Sequence, residues 1–194
     1  MTRPTLFFVR HGETDWNAEG RLQGQRDIPL NDVGREQAAM AGRMLARLTP
    51  DPAALPWLVS PLSRTQETAQ LARTALSLEP KTYVLDPRLK ELTFGAWEGL
   101  TWPELRQRDP RGANARSADK WGFAPPKGES YAMLAERIAP WLESVTQTSI
   151  IVSHGGVARV LFTLIAGMAP LEAAEQDIHQ GRVLVFEAGS ARWA

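Results

Sequence analysis

The 194-residue chain contains no cysteine, which excludes disulfides, thiolate metal sites and the cysteine-nucleophile route to phosphate-ester cleavage. It has only three histidines, so a histidine-rich metal centre has few ligands to draw on. No Asp-x-Asp pair is present for an aspartyl-phosphate enzyme, and no Gly-x-x-x-x-Gly-Lys-Ser/Thr loop for a nucleotide. Charge of neither sign is in excess. Lys and Arg total 22 and Asp and Glu total 22, so no overall field draws the protein to nucleic acid or to a membrane surface. Long apolar runs are missing too: the longest, Val157 to Ile165, is interrupted by Arg159 and is too short to span a bilayer. Met1-Thr2-Arg3-Pro4 leads directly into an apolar strand, without the hydrophobic segment and small-residue cleavage site of a signal peptide. A soluble, cytoplasmic protein is expected. Neither a composition shift nor a long linker divides the chain, which predicts one domain over residues 1–194.

What is present begins with Phe7-Phe8-Val9-Arg10-His11-Gly12, a short apolar run that ends in a polar cluster and a turn residue. Thr5 to Val9 reads as a strand, which puts Arg10 and His11 at its carboxyl end, where open α/β sheets bind ligands. Arg10 offers a planar charged fork suited to phosphate oxygens. His11 offers a nitrogen able to act as nucleophile, base or metal ligand near neutral pH. Ser149-Ile150-Ile151-Val152-Ser153-His154-Gly155-Gly156 repeats the design, and two such strands side by side would bring the histidines together. Arg64, in Ser60-Pro61-Leu62-Ser63-Arg64-Thr65, falls in the first turn of a helix. A helix amino terminus disfavours a cation unless an anion joins it, which again points to an anion site.

With Glu91 in Leu89-Lys90-Glu91-Leu92-Thr93-Phe94-Gly95-Ala96-Trp97-Glu98-Gly99, this set resembles the histidine phosphatase, or phosphoglycerate-mutase-like, superfamily, its four motifs standing in the family's order. The resemblance runs from about Leu6 to Val185 and takes in Gly20-Arg21-Leu22-Gln23-Gly24 and Asn31-Asp32-Val33-Gly34-Arg35-Glu36-Gln37-Ala38. It implies a metal- and cofactor-independent phosphatase acting on a small phosphorylated metabolite. In that scheme His11 attacks phosphorus, and Glu91 protonates the departing alkoxide and then activates water. Arg10, Arg64 and His154 hold the phosphoryl oxygens, and Asn17, Gln23, Gly24 and Gly155 line the phosphate pocket. Glu98 competes with Glu91 for the acid role, and matching to the family selects Glu91. The family also contains phosphoglycerate mutases, which pass the phosphate to a second hydroxyl; Leu92-Thr93-Phe94-Gly95 after the acid departs from their arginine-containing pattern and favours hydrolysis. A non-catalytic phosphate-binding module is the alternative of another class, and its mark would be a lost motif residue.

Along the rest of the chain, Asn31 is a candidate N-cap for a helix to about Leu48, and Pro56 to Val59 a second strand. Tyr83 to Leu85, Ile150 to Val152 and Arg182 to Glu187 complete five strand candidates alternating with helices. They predict a three-layer α/β/α sandwich with a mostly parallel sheet. Arg73 reads as part of a solvated helix face, and His179 as a folding or rim residue. Between Thr101 and Lys127, Trp102, Trp121 and Phe123 interleave with Arg106, Arg108, Arg111, Arg116 and Lys120. This stretch reads as a cap-like insertion at about 100–130 over the pocket, and without a nucleic-acid-binding motif it does not read as a nucleic-acid surface. Oligomeric state stays open, a homodimer included.

Overall fold

Leu6 and Phe8 are buried on one side of a central sheet and Phe7 and Val9 on the other, as the two-residue period of a strand demands. The computed structural model describes residues 3–194, so Met1-Thr2 of the amino-terminal lead-in lies outside the described residues. The strands are β1 (Leu6–Arg10), β2 (Trp57–Val59), β3 (Val84–Leu85), β4 (Ser149–Ser153), β5 (Val183–Glu187) and β6 (Ser190–Trp193). They lie in the order β3-β2-β4-β1-β5-β6. The first four positions are parallel; β5 runs antiparallel to β1, and β6 antiparallel to β5.

The helices are α1 (Asp15–Ala18), α2 (Asp32–Leu48), α3 (Ser63–Ala75), α4 (Trp102–Arg108), α5 (Pro110–Ala118), α6 (Tyr131–Ser144), α7 (Gly155–Ala166) and α8 (Pro170–Glu175). Ala41 and Leu45 of α2 and Ala69 and Ala72 of α3 pack on Phe7, Val9, Ile150 and Val152. Leu134, Ile138 and Trp141 of α6 and Val157 and Leu161 of α7 cover the opposite face, against Phe8, Ile151 and Phe186. The three layers and the mostly parallel sheet therefore stand as the sequence indicates. The Asn31 side chain caps α2 by accepting from Gly34 N at 2.8 Å.

Besides one-residue shifts at the ends of β1, β2, β4 and β5, three details differ from the sequence reading. Among the described residues there are six strands, not five, because Ala188 (φ +48°) and Gly189 (φ +76°) form a two-residue turn that folds the chain back as β6. Positive φ at both central residues is the mark of the tight hairpin turn, and alanine in that conformation gives little warning of it. The edge strand β3 begins at Val84, one residue later than read, and both its residues are exposed. Arg73 is buried, not solvated: its guanidinium lies 5.0 Å from the Trp57 ring centroid, and its Nε donates to Glu79 O at 2.7 Å. An arginine stem can cover apolar surface while its head finds partners, which periodicity alone does not reveal.

The stretch at about 100–130 is built from α4, α5 and a turn segment around a small core of its own. Leu105 and Ala113 pack there with Leu22 and Trp97, and Phe123 stacks on Trp97.

Candidate active site

Arg10 ends β1 opposite Ser153, which ends β4, so the next residue of each strand, His11 and His154, emerges beside the other. Their ring centroids are 5.2 Å apart, and both side chains are buried. His11 Nδ1 lies 2.7 Å from Gly12 O. A carbonyl only accepts, so Nδ1 carries the proton and Nε2 keeps its lone pair. His154 Nε2 is 2.7 Å from Ser60 Oγ, whereas its buried Nδ1 has no protein partner.

Arg10 Nη1 donates to Ile178 O at 2.7 Å, and Arg64 gives Nη1 to Arg26 O and Nη2 to Gly24 O at 2.7 and 2.8 Å. The Nε of each arginine is buried and unpartnered. Both arginines line one cavity, as does Gln23, whose acceptor Oε1 is also unpartnered, while His154 Nδ1 lies behind its wall; the orphaned guanidinium nitrogens cost stability unless an acceptor-rich group such as a phosphate joins them. The cavity holds about 150 Å³, enough to admit a phosphoryl group. Arg10, His11, Asn17, Gln23, Gly24, Arg64, Glu91 and Gly155 all line it, so of the nine positions singled out in the sequence only His154 does not.

Glu91 is held by two backbone donors, Leu92 N to Oε1 at 2.9 Å and Gly156 N to Oε2 at 3.0 Å. The second lies in the first turn of α7. A Cβ on Gly156 would sit 2.1 Å from Glu91 Oε1, so only glycine lets the helix approach the carboxylate this closely. Glu98 is occupied elsewhere. Its Oε1 accepts from Thr93 Oγ1 at 2.7 Å, Gln25 N at 3.0 Å and Phe94 N at 3.2 Å, which ties two loops together. Of the two carboxylates, Glu91 alone lines the cavity. Asn17 closes a capping box with Thr14, its Oδ1 accepting from Thr14 N and from Gln180 Nε2 at 3.2 Å each, which leaves its amide nitrogen for a ligand.

The site also draws on residues that the sequence does not single out, among them Arg21, Leu22, Leu92, Phe94 and Gly156 of the cavity lining. Arg159 and Tyr131 line the cavity, Gln180 bridges His11 O and Asn17, and Ser60 holds His154. Arg159 could have been found, since it stands four residues after Gly155 on one helix face and interrupts an apolar run. No residue of 101–127 lines the cavity; that segment reaches it through Phe94, a lining residue over which Arg116 stacks at 5.9 Å. His179 is exposed and packs on Trp193.

Burial, reinforced by Arg64 and Arg10, holds the His11 pKa well below the ordinary histidine value despite the bond to Gly12. His154 is held down likewise by burial, then by Arg64, His11 and Arg10. Burial and neighbouring Arg159 push Arg10 down to about 10, which still leaves it charged at neutral pH. Burial and the neighbouring guanidinium groups thus favour the neutral form of both histidines.

A pH dependence of stability follows. Below about 6.5 the unfolded chain takes up protons that the folded chain refuses, so stability present above that pH is lost as pH falls toward the depressed folded values. Within this window each histidine contributes up to about 1.4 kcal/mol per pH unit. Thermal unfolding of the phosphate-free protein between pH 7.5 and 5 should show the midpoint falling, with a shallower slope in His11→Asn. An unchanged slope would mean that His11 is already protonated in the fold.

Among the described residues, no group of three or more His, Asp or Glu side chains is placed to hold a metal ion, and no helix is long and apolar enough to cross a membrane. A profile of the histidine phosphatase superfamily (branch 1) matches residues 6–194. A glucosyl-3-phosphoglycerate phosphatase of Mycolicibacterium vanbaalenii is 36% identical over 175 residues, covering 84% of this chain and 74% of that protein. A metal-independent phosphoserine phosphatase of Arabidopsis thaliana is 35% identical over 167 residues, covering 82% and 68%. The crystal structure of a phosphoglycerate mutase from Thermus thermophilus superposes with a TM-score of 0.71 at 35% identity, covering 93% of this chain and 91% of that one.

Proposed function

Because the chain belongs to the histidine phosphatase superfamily, we propose that it is a phosphatase that hydrolyses a small-molecule phosphate monoester through a phosphohistidine on His11. The observation that carries this reading is the His11–Gly12 hydrogen bond, which leaves Nε2 unprotonated in a cavity lined by Arg10, Arg64 and Glu91.

In the first half-reaction His11 Nε2 forms a bond to phosphorus as the ester P–O bond breaks, and Glu91 gives its proton to the departing alkoxide. In the second, Glu91, now a carboxylate, takes a proton from water as that oxygen bonds to phosphorus and the P–N bond breaks. Orthophosphate leaves, and both side chains are restored. Arg10 and Arg64 neutralise the phosphoryl oxygens throughout. Fixed charge and alignment supply most of the rate, because a loosely bonded phosphoryl group needs little else. His154 contributes from behind the cavity wall: if Ser60 donates to Nε2, the free Nδ1–H is a further donor for the phosphoryl group.

The reading is metal-independent, since guanidinium groups supply the positive charge that a divalent ion would otherwise bring. The Arabidopsis relative is itself described as metal-independent. Turnover of nitrophenyl phosphate should stay within about twofold after exhaustive chelation, and vanadate should inhibit. Loss of activity that a divalent ion restores would overturn the reading. A mutase would share the first half-reaction and differ in the acceptor. Hydrolysis of a panel of phosphorylated metabolites, scored for free phosphate against transfer to a hydroxyl, separates the two and identifies the substrate. An intact protein that binds phosphate but turns over no ester would leave the non-catalytic module.

A further inference from the structure

We propose that Arg137, paired with Glu129, is the positioning residue that sets the general acid Glu91 in its working place. This inference rests on the reading of Glu91 as the proton donor. Glu91 lies in a non-repetitive stretch between two single 3₁₀ turns, Pro87–Leu89 and Gly95–Trp97, so neither helix nor sheet fixes its backbone. Its place is fixed from outside, on the loop side by Gln25, whose Nε2 donates to Glu91 O at 2.9 Å, and on the helix side by the ion pair. Arg137, on α6, donates Nη1 to Arg88 O at 2.5 Å and to Lys90 O at 2.9 Å, and Nη2 reaches Glu91 O at 3.4 Å. The other side of the same guanidinium holds Glu129, Nε to Oε1 at 3.2 Å and Nη2 to Oε2 at 3.0 Å. Glu129 closes the bracket, its Oε2 accepting from Thr93 N at 3.2 Å and its backbone N donating to Thr93 O at 2.8 Å.

One ion pair thus grips the chain on both sides of Glu91 while touching neither the cavity nor the carboxylate. The carboxylate is separately fixed to Gly156 N at the start of α7. Arg137 sits on α6, which packs against α7, so the pair locks the acid-bearing segment to the helix layer that carries its hydrogen-bond partner. The pair is about one-fifth exposed at each side chain, so its Coulombic contribution to stability is screened. What the guanidinium supplies is a planar fork that serves three carbonyls and a carboxylate at once, and the point charge of a lysine cannot reproduce it.

The loss should therefore depend on the leaving group. Displacing a catalytic group by about 1 Å can cost roughly a hundredfold in rate. Arg137→Gln should lower kcat/KM, which reports phosphohistidine formation, about a hundredfold for an alkyl phosphate taken from the metabolite panel, but less than about fivefold for nitrophenyl phosphate, whose phenolate departs without the acid; breakdown of the phosphohistidine, which needs the same carboxylate, should slow for both. Arg137→Lys should restore only part of the loss. In a Glu91→Gln background, Arg137→Gln should cost less than a further threefold, because the group it positions has already been removed. Glu129→Gln repeats the test if Arg137→Gln does not fold. Equal fractional losses in kcat/KM on both substrates, or a full multiplicative loss in the Glu91→Gln background, would show a purely structural role and overturn the inference. A Glu91→Gln enzyme without leaving-group dependence would overturn the acid assignment and this inference with it, whereas a normal Glu91→Gln result beside an indifferent Arg137→Gln overturns this inference alone.

Discussion

Replacing His11 with alanine is expected to lower turnover of alkyl and aryl phosphate esters alike by roughly 10⁴-fold or more, the scale on which removal of a nucleophile acts. Neither a thiol nor the hydroxyl of Ser60 or Thr68 is free to take its place. The chain has no cysteine; Ser60 Oγ is engaged with His154 Nε2; and Thr68 Oγ1 accepts from Gly12 N and donates to Arg64 O. His11 Nε2 is the unprotonated nitrogen left facing the arginines, so rapid quench of wild-type enzyme with phosphate-labelled substrate should trap an acid-labile, base-stable phosphoryl group on His11. His179 supplies the control. It is exposed, packs on Trp193 at 4.8 Å and lies outside the cavity, so His179→Ala should turn over substrate near the wild-type rate. Label on another residue, or comparable losses in the two variants, would sink the phosphohistidine.

The centre of this site was legible because its chemistry is contiguous in sequence where strands end. Arg10-His11-Gly12 and His154-Gly155-Gly156 each follow a β-branched or aromatic run, and parallel pairing of β1 with β4 alone brings them together. Glu91 was reachable through resemblance to a family, not through periodicity, since its segment has no regular structure to predict. What stayed hidden depends on contacts that no local pattern encodes. Gln180 lies 169 positions from the His11 carbonyl it meets, and Ser60 lies 94 from His154. Arg73 was read as solvated because a charged residue on a helix usually is; its burial was decided by Trp57 on the neighbouring strand. The small turn at Ala188-Gly189 hid β6 for the opposite reason, a local conformation that the residue type disfavours and the sheet edge imposes.

Glu91→Gln should separate proton donation from phosphate clamping. A poor leaving group needs its proton, so hydrolysis of an alkyl phosphate should fall by about 10²- to 10⁴-fold, the range that general acid catalysis supplies. Nitrophenolate departs adequately on its own, so formation of the phosphohistidine from nitrophenyl phosphate should be nearly spared. Its breakdown should slow, because the same carboxylate activates water. A pre-steady-state burst followed by a slow steady rate is the expected signature. The glutamine is close to isosteric, but its amide nitrogen cannot accept, so one of the bonds from Leu92 N and Gly156 N is lost. Arg64→Ala should behave differently and lower both substrates by about 10²- to 10³-fold, since the guanidinium acts on the phosphoryl group they share. That variant also releases the carbonyls of Gly24 and Arg26, so part of its loss belongs to the loop. Glu98→Gln keeps an acceptor for Thr93 Oγ1 and should lower stability more than it changes leaving-group dependence. If Glu98→Gln instead shows that dependence and Glu91→Gln does not, the proton comes from the loop-tying carboxylate, and the contact between Glu91 and α7 is structural.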